Sequence, residues 1–373
     1  MLQSLKERGW ETTFIGWDRT GGLSVPCTGY PNAIDRFLCV RAPAPTESWK
    51  IALKLPRYYG QLAKTMSGAG RQDCVILTHL WLLPLAWFLK CHTVYDSAEI
   101  YSVDMASYFR GCKKLAQPLW RMLEGALVKR VGGVTAVDSD HGWLQKFFMR
   151  ANKRVQVVYN FPAIFQDPDQ EQIDALECTY RNREVAAFVG GLMKEKGLRV
   201  ALEAAALVKV RHPNCLFLFM GPMKDDLELV TNIVKSLQIE NNVVFRNSLG
   251  YSEMLAHIRH ARVGLMLLQP VGLYLRLGPR NGRKCIAYMQ AGIPVIGPSF
   301  GEVGAVIRKE QCGVLVDTSS PLQVANAIMD LLDMPEEAEL LGRRGREAFL
   351  REYNWESEGE KFAGFIEAVL HPA

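Results

Sequence analysis

Between Gly278 and Asp317 the sequence reads GPRNGRKCIAYMQAGIPVIGPSFGEVGAVIRKEQCGVLVD, and this order of segments admits few folds. A basic loop with Arg280, Arg283 and Lys284 leads into a short apolar helix predicted from Cys285 to Gln290. Ala291-Gly292 ends that helix, because glycine accepts the left-handed cap conformation. Ile293 to Gly297 is apolar on both faces, the pattern of a short strand buried in a parallel sheet. A helix from about Phe300 to Lys309 and a strand from Cys312 to Asp317 are expected to follow. A helix that aims its N-terminus and basic side chains at the carboxyl end of a parallel sheet makes an anion site.

The rest of the chain repeats this alternation twice. Residues 2–9 predict a helix capped at Gly9, and residues 11–17 a strand. The chain thus opens on a helix, where a doubly wound domain would open on a strand and a phosphate-facing loop; that first strand is expected to be missing. A basic amphipathic helix is predicted over 46–65, with Trp49, Leu53 and Leu62 facing in and Lys50, Lys54 and Arg57 facing out. Strands are predicted at 74–78, 92–96, 133–137 and 154–159, and helices at 80–89, about 106–130 and 140–151. The helix at 106–130 carries Tyr108, Phe109, Arg110, Lys113, Lys114, Trp120 and Arg121; it suits docking on the sheet or on a membrane surface. Residues 161–183 read as a polar linker. Strands at 184–189, 215–220, 242–246 and 263–268 then alternate with helices at 198–211, 225–237 and 252–260, and helices at 320–334, 336–349 and 355–370 close the chain. The expectation is α/β with two doubly wound, Rossmann-like domains facing a cleft. Their bounds are 1–165, with helix 356–373 packing back on that domain, and 166–355.

At 373 residues, two domains are what the length suggests. No apolar run approaches the roughly 20 residues of a membrane span, and the N-terminus does not read as a signal peptide. Nine cysteines without CxxC pairs argue for reduced thiols in the cytoplasm and against a zinc cluster or disulfide framework. The net charge of +5 is unevenly spread: residues 1–160 carry 21 Lys and Arg against 12 Asp and Glu, the remainder 23 against 27. A basic N-terminal half fits peripheral contact with an anionic inner-membrane surface, or a solvated face of no special role.

Two further places carry polar chemistry. Gly190-Gly191-Leu192-Met193-Lys194-Glu195-Lys196-Gly197 follows a strand and precedes a helix, so backbone N–H groups and Lys196 could hold a phosphate. It matches neither GxxxxGK[ST] nor GxGxxG. With the basic loop at 280–284, it gives the two positive sites that suit a diphosphate. Asp96-Ser97-Ala98-Glu99 places carboxylates at a strand's carboxyl end, where open α/β sheets put ligands. No HxxxH or HExxH spacing supports a metal site, and no GxSxG elbow is present.

FVGGLMKEKGLRVALEAA, FLFMGP, RKCIAYMQAGIPVIG, CGVLVD and YNW, in this order, resemble the C-terminal domain of the retaining, nucleotide-sugar-dependent glycosyltransferases of GT-B fold, family 4. SLKERGWETTFIGWDR, VYDSAEIYS, VTAVDSD and VVYNFP resemble that family's N-terminal domain. The resemblance implies hexose transfer from a nucleotide diphosphate sugar to a hydroxyl acceptor, with retention and without metal or cofactor. The acceptor is expected to be a lipid-linked or polysaccharide precursor, and no nucleic acid is involved. By position, Lys196 matches the family's phosphate-binding lysine, Gly190 the loop glycine and Lys284 a basic residue three before the usual glutamate. Gly191 stands where the family has arginine, Pro279 and Ala287 where it has two glutamates, and Ala98 where it has histidine. Arg276, Arg280 or Arg283 could supply the lost charge and Glu302 a hydroxyl contact; Asp96 and Glu99 are the catalytic candidates. Two other readings follow from these departures and from the architecture: a catalytically silent binding or scaffold subunit, and a sugar-nucleotide 2-epimerase.

Overall fold

The short apolar runs that predict strands pair in parallel throughout. The computed structural model describes residues 1–22, 33–45, 49–98, 101, 113–137, 143–271 and 282–371. The chain divides into two units, Met1–Asn160 with Glu358–Ala373, and Phe161–Ser357.

The first unit opens on helix α1 (Leu2–Lys6), then strands β1 (Thr13–Asp18) and β2 (Arg36–Arg41). A 3-10 segment (Trp49–Lys54) runs into α2 (Leu55–Thr65), followed by β3 (Cys74–Leu77), a 3-10 segment (Leu80–Trp87) and β4 (His92–Ser97). Helix α3 (Lys113–Leu127), β5 (Gly133–Ala136), α4 (Trp143–Met149) and β6 (Val155–Val157) complete the alternation. Among the described residues these strands form two parallel sheets, β1-β2 and β3-β4-β5-β6. Two local expectations are corrected. Leu53 is exposed, because the 3-10 winding before Pro56 turns it off the buried face held by Ile51, Leu55, Tyr58 and Leu62. Residues 80–87 wind as a 3-10 segment around Pro84, which cannot donate an α-helical hydrogen bond.

In the second unit the order is α5 (Gln170–Asp174), α6 (Glu177–Tyr180), β7 (Glu184–Val189), α7 (Leu198–Arg211), β8 (Cys215–Met220), α8 (Leu227–Ser236), β9 (Val243–Arg246), α9 (Tyr251–Arg259) and β10 (Ala261–Leu265). Then come α10 (Arg283–Ala291), β11 (Val295–Pro298), α11 (Gly301–Glu310), β12 (Gly313–Val316), α12 (Pro321–Asp333) and α13 (Pro335–Arg351). The sheet runs β12-β11-β10-β7-β8-β9. Its central strands β11, β10, β7 and β8 are largely buried on both faces, with Val185, Ala187, Phe188, Phe217, Leu218, Val263 and Leu265 at the centre. Strand order therefore reverses between β7 and β10, and the carboxyl ends of those two strands open the crevice where such sheets bind ligands.

The expected linker is folded onto this unit. Asp167 pairs with Arg346 of α13 and accepts a 3.0 Å hydrogen bond from Gln290 of α10. Tyr180 is buried against His257, its hydroxyl 2.6 Å from Nδ1. Its short helices hold because Asp169 caps α5 through the Gln172 N–H. The last helix, α14 (Trp355–Leu370), starts in the second unit, where the Trp355 N–H donates to the Pro162 carbonyl at 2.9 Å. Its remainder packs on the first unit: the Glu358 carboxylate accepts the Tyr159 N–H at 2.8 Å, and Phe365 and Val369 lie so close to β5 that only glycine fits at 132 and 133.

Candidate functional site

One side chain joins β7, β10 and α10 beside the crevice. Tyr288, on the buried face of α10, accepts the Val189 N–H at 3.1 Å, and its hydroxyl lies 3.1 Å from both the Ala187 and the Leu265 carbonyls. Its ring occupies the space that a β-carbon at Gly264 would need. The end of β7 is thereby tied to α10, whose first turn carries Arg283 and Lys284.

Beyond β7 the chain turns through Gly190, at φ 93°. The Gly190 N–H donates to the Met220 carbonyl at 2.8 Å, and the Leu192 N–H to that of Pro222 at 2.9 Å. The loop therefore runs beside the one that follows β8. A β-carbon at 190 would overlap the Lys284 side chain. Glycine leaves the lysine room to lie across the loop, its Nζ 4.8 Å from the Phe188 ring centroid. A β-carbon at 191 would come within 3.5 Å of the Lys196 Nζ and 3.7 Å of Lys224 Cγ. Lys196 closes a 3-10 turn, and Gly197, at φ 85°, is the N-cap of α7. Thus Lys196, Lys224 and Lys284 converge on two glycines in front of the N-termini of α7 and α10.

Among the described residues none of the three lysines has a carboxylate partner. Burial pushes Lys284 down to about 7, and the Lys196 ammonium pushes in the same direction. Lys196 is lowered by burial and then by Lys224. A cluster of like charges without counterion is an arrangement an anion would relieve. Lys224 escapes a reading of the sequence by motif. The signal available was its position three residues after Gly221, at the end of the neighbouring strand.

The other named residues fall as follows. Gly190, Gly191, Lys196 and Lys284 come together as described, and Arg283 is exposed at the start of α10. Glu302 is in the first turn of α11, in the lining of a shallow apolar depression with Phe161, Cys285, Ile286, Val303 and Tyr353. Ala287 is buried in the core. Glu99, Arg276, Pro279 and Arg280 lie outside the described residues. Asp96 ends β4 in the first unit, buried, with its Oδ1 accepting a 2.6 Å hydrogen bond from Thr135 on β5. Burial raises its pKa and the Thr135 hydroxyl pulls it back. A second buried carboxylate there, Glu124 of α3, accepts from the Tyr95 hydroxyl at 2.8 Å and is pushed up to about 7 by burial.

Residues 169–348 match the family described as glycosyl transferases group 1. A D-inositol 3-phosphate glycosyltransferase of Segniliparus rotundus is 23% identical over 330 residues, covering 83% of this chain and 70% of that protein. A GDP-mannose-dependent alpha-(1-6)-phosphatidylinositol monomannoside mannosyltransferase of Mycobacterium tuberculosis is 24% identical over 256 residues, 66% of each chain. Among solved structures, sucrose-phosphate synthase from Thermosynechococcus elongatus superposes with a TM-score of 0.70 at 16% identity, covering 98% of this chain and 91% of that one. The fold is the two-domain α/β arrangement of these glycosyltransferases.

Proposed function

We propose, from the premise that the chain belongs to the glycosyl transferases group 1, that Lys196, Lys284 and Lys224 hold the diphosphate of a nucleotide sugar whose hexose passes to a hydroxyl acceptor. The observation that carries this is the convergence of three lysines, without a carboxylate partner among the described residues, on Gly190 and Gly191 at the reversal of strand order. The glycines let the diphosphate approach the backbone, and the N-termini of α7 and α10 face it. Arg283 adds charge at the rim, and Glu302 a hydroxyl contact. As the bond from the sugar's anomeric carbon to the diphosphate breaks, charge develops on the departing phosphate oxygen. The lysines offset it, the role a metal ion would otherwise fill. With retention, the acceptor hydroxyl attacks from the face the diphosphate leaves, and that phosphate oxygen takes its proton. The relative named for phosphatidylinositol monomannoside mannosyl transfer supports a lipid-linked acceptor, presented at a membrane surface.

Calorimetry with UDP and GDP tests the site. Each charge-assisted contact is worth about 1.5–3 kcal/mol, so Lys196→Ala and Lys284→Ala each weaken binding roughly 10- to 100-fold. Together they abolish it, while transfer by the parent chain from a panel of UDP- and GDP-sugars persists in chelator. Unchanged nucleotide affinity in both variants sinks the placement. Intact affinity without transfer in any pairing makes the chain a binding subunit.

A further inference from the structure

Helix α3 carries its apolar residues on two faces. Leu127 and the Glu124 carboxylate, bonded to Tyr95, are buried, and the Trp120 ring packs edge-on against Trp81 at 5.1 Å. The opposite face is apolar as well. Leu119, Met122 and Leu123 are 61%, 67% and 41% exposed, at the spacing that lines up along one side of a helix. Beside its C-terminal end lie Trp87, 59% exposed with the Arg130 guanidinium 6.0 Å from its ring centroid, and Phe88, 77% exposed. Scattered apolar residues on a surface need no explanation; a contiguous stripe with two aromatic residues at its end does.

The charge around the stripe says what covers it. Among the described residues from 73 to 160, the exposed Lys and Arg side chains are Lys90, Lys129, Arg130, Lys146, Arg150, Lys153 and Arg154; Asp73 is the one exposed carboxylate, and Asp96 and Glu124 are buried. An outward apolar stripe with seven exposed cations against one exposed acid among the described residues around it complements the interface of an anionic bilayer. A second copy of the chain would set like charges against each other. No helix among the described residues is long and apolar enough to cross a membrane.

We infer that the outer face of α3, with Trp87 and Phe88, docks the first unit on an anionic phospholipid surface, the aromatic and aliphatic side chains in the headgroup boundary and the surrounding lysines and arginines on lipid phosphates. The inference deepens the reading of a lipid-linked acceptor and draws its purpose from it; its residues lie wholly outside the nucleotide site.

The test is co-sedimentation of the whole chain with vesicles of phosphatidylcholine alone and of phosphatidylcholine with phosphatidylglycerol. Binding to the anionic vesicles that falls with added salt is expected. Each cation contributes about 1 kcal/mol at such a surface, so Lys90→Gln with Lys129→Gln weakens it about 30-fold. Met122→Asp with Leu123→Asp, both at exposed positions, reduces it to the phosphatidylcholine level. Val210→Asp, at an exposed apolar position in the second unit, leaves it unchanged. Nucleotide affinity, measured in parallel on every variant, reports the donor site separately and confirms folding. Equal binding to both vesicle types, or full binding by the two double variants, overturns the inference. So does self-association of the parent chain that Met122→Asp with Leu123→Asp abolishes, which would assign the stripe to a second copy.

Discussion

The two units draw in opposite kinds of ionisable group, half-buried lysines in the second and buried carboxyl groups in the first. In the second, cations lie under the carboxyl edge of the sheet, Lys284 across Gly190 and Lys196 beside Gly191, with no counterion among the described residues. In the first, carboxylates are buried, each with its donor: Asp96 with Thr135 and Glu124 with Tyr95. A buried ion with a protein partner completes the fold, because the partner offsets the cost of leaving water. A buried ion without one leaves that cost to a ligand. The difference sorts Asp96 from the lysines better than nearness to a strand end, which Asp96 and the loop after β7 share.

The comparison breaks most readily at Gly221, at φ 145°, where a β-carbon would collide with the Gly190 carbonyl. Gly221→Ala must move the loop on which the lysines converge. Steric overpacking and backbone strain each cost about 1–3 kcal/mol, so a loss of about 3–5 kcal/mol in the second unit is expected, together with the loss of nucleotide binding. Denaturant unfolding and calorimetry measure the two. Near-parent stability would show that the two loops are not locked together.

The buried carboxylates sharpen the contrast from the other side. Glu124 is raised from 4.5 to about 7 by burial, so the folded state holds a proton that the unfolded state has released between those values. Stability contributed by this group is complete below pH 4.5 and is lost as pH rises through 7. Glu124→Gln keeps an acceptor for the Tyr95 hydroxyl without the charge. The expected outcome is a gain of about 2–3 kcal/mol over the parent at pH 8 that vanishes near pH 4.5. Thermal melts across that range read it. A pH-independent difference would mean Glu124 is ionised in the fold, and that Arg121, 4.2 Å over the Trp143 ring, acts as its counterion.

Most of the second unit was legible because its signals are local. Apolar runs bounded by glycine mark β7, β8 and β11, and Gly190, Gly197 and Gly292 stand where positive φ is required. The first unit was less so. Pro84 turned an apolar run into a 3-10 segment. Residues 161–183 read as a linker because each of their contacts is long-range in sequence: Asp167 with Arg346, Tyr180 with His257. At the site, Lys196 and Lys284 could be named from glycine spacing and the basic loop. Lys224 could not, since only the pairing of β7 with β8 brings it there. Nor could the counterion test, which depends on which side chains are not nearby.

That test has a proton attached to it. Lys284, held at about 7 by burial, is largely neutral in the empty site above that value, yet a diphosphate requires it charged. Binding above pH 7 must therefore take up a proton. A nucleotide sugar carries phosphodiester charges that do not titrate between pH 6 and 8, so the change can be assigned to the protein. Its affinity is expected to fall about tenfold from pH 6 to pH 8, one decade per unit above 7. Lys284→Arg, charged throughout, flattens the profile. The empty protein slopes the other way: the unfolded lysine titrates near 10.5, so between 7 and 10.5 the unfolded state binds more protons and this group's contribution to stability rises with pH. Opposite slopes for binding and stability, both removed by one substitution, are what a buried cation awaiting an anion produces. Matching slopes, or an affinity indifferent to pH, would put Lys284 in the same class as Asp96 and Glu124, a charge the fold has already satisfied.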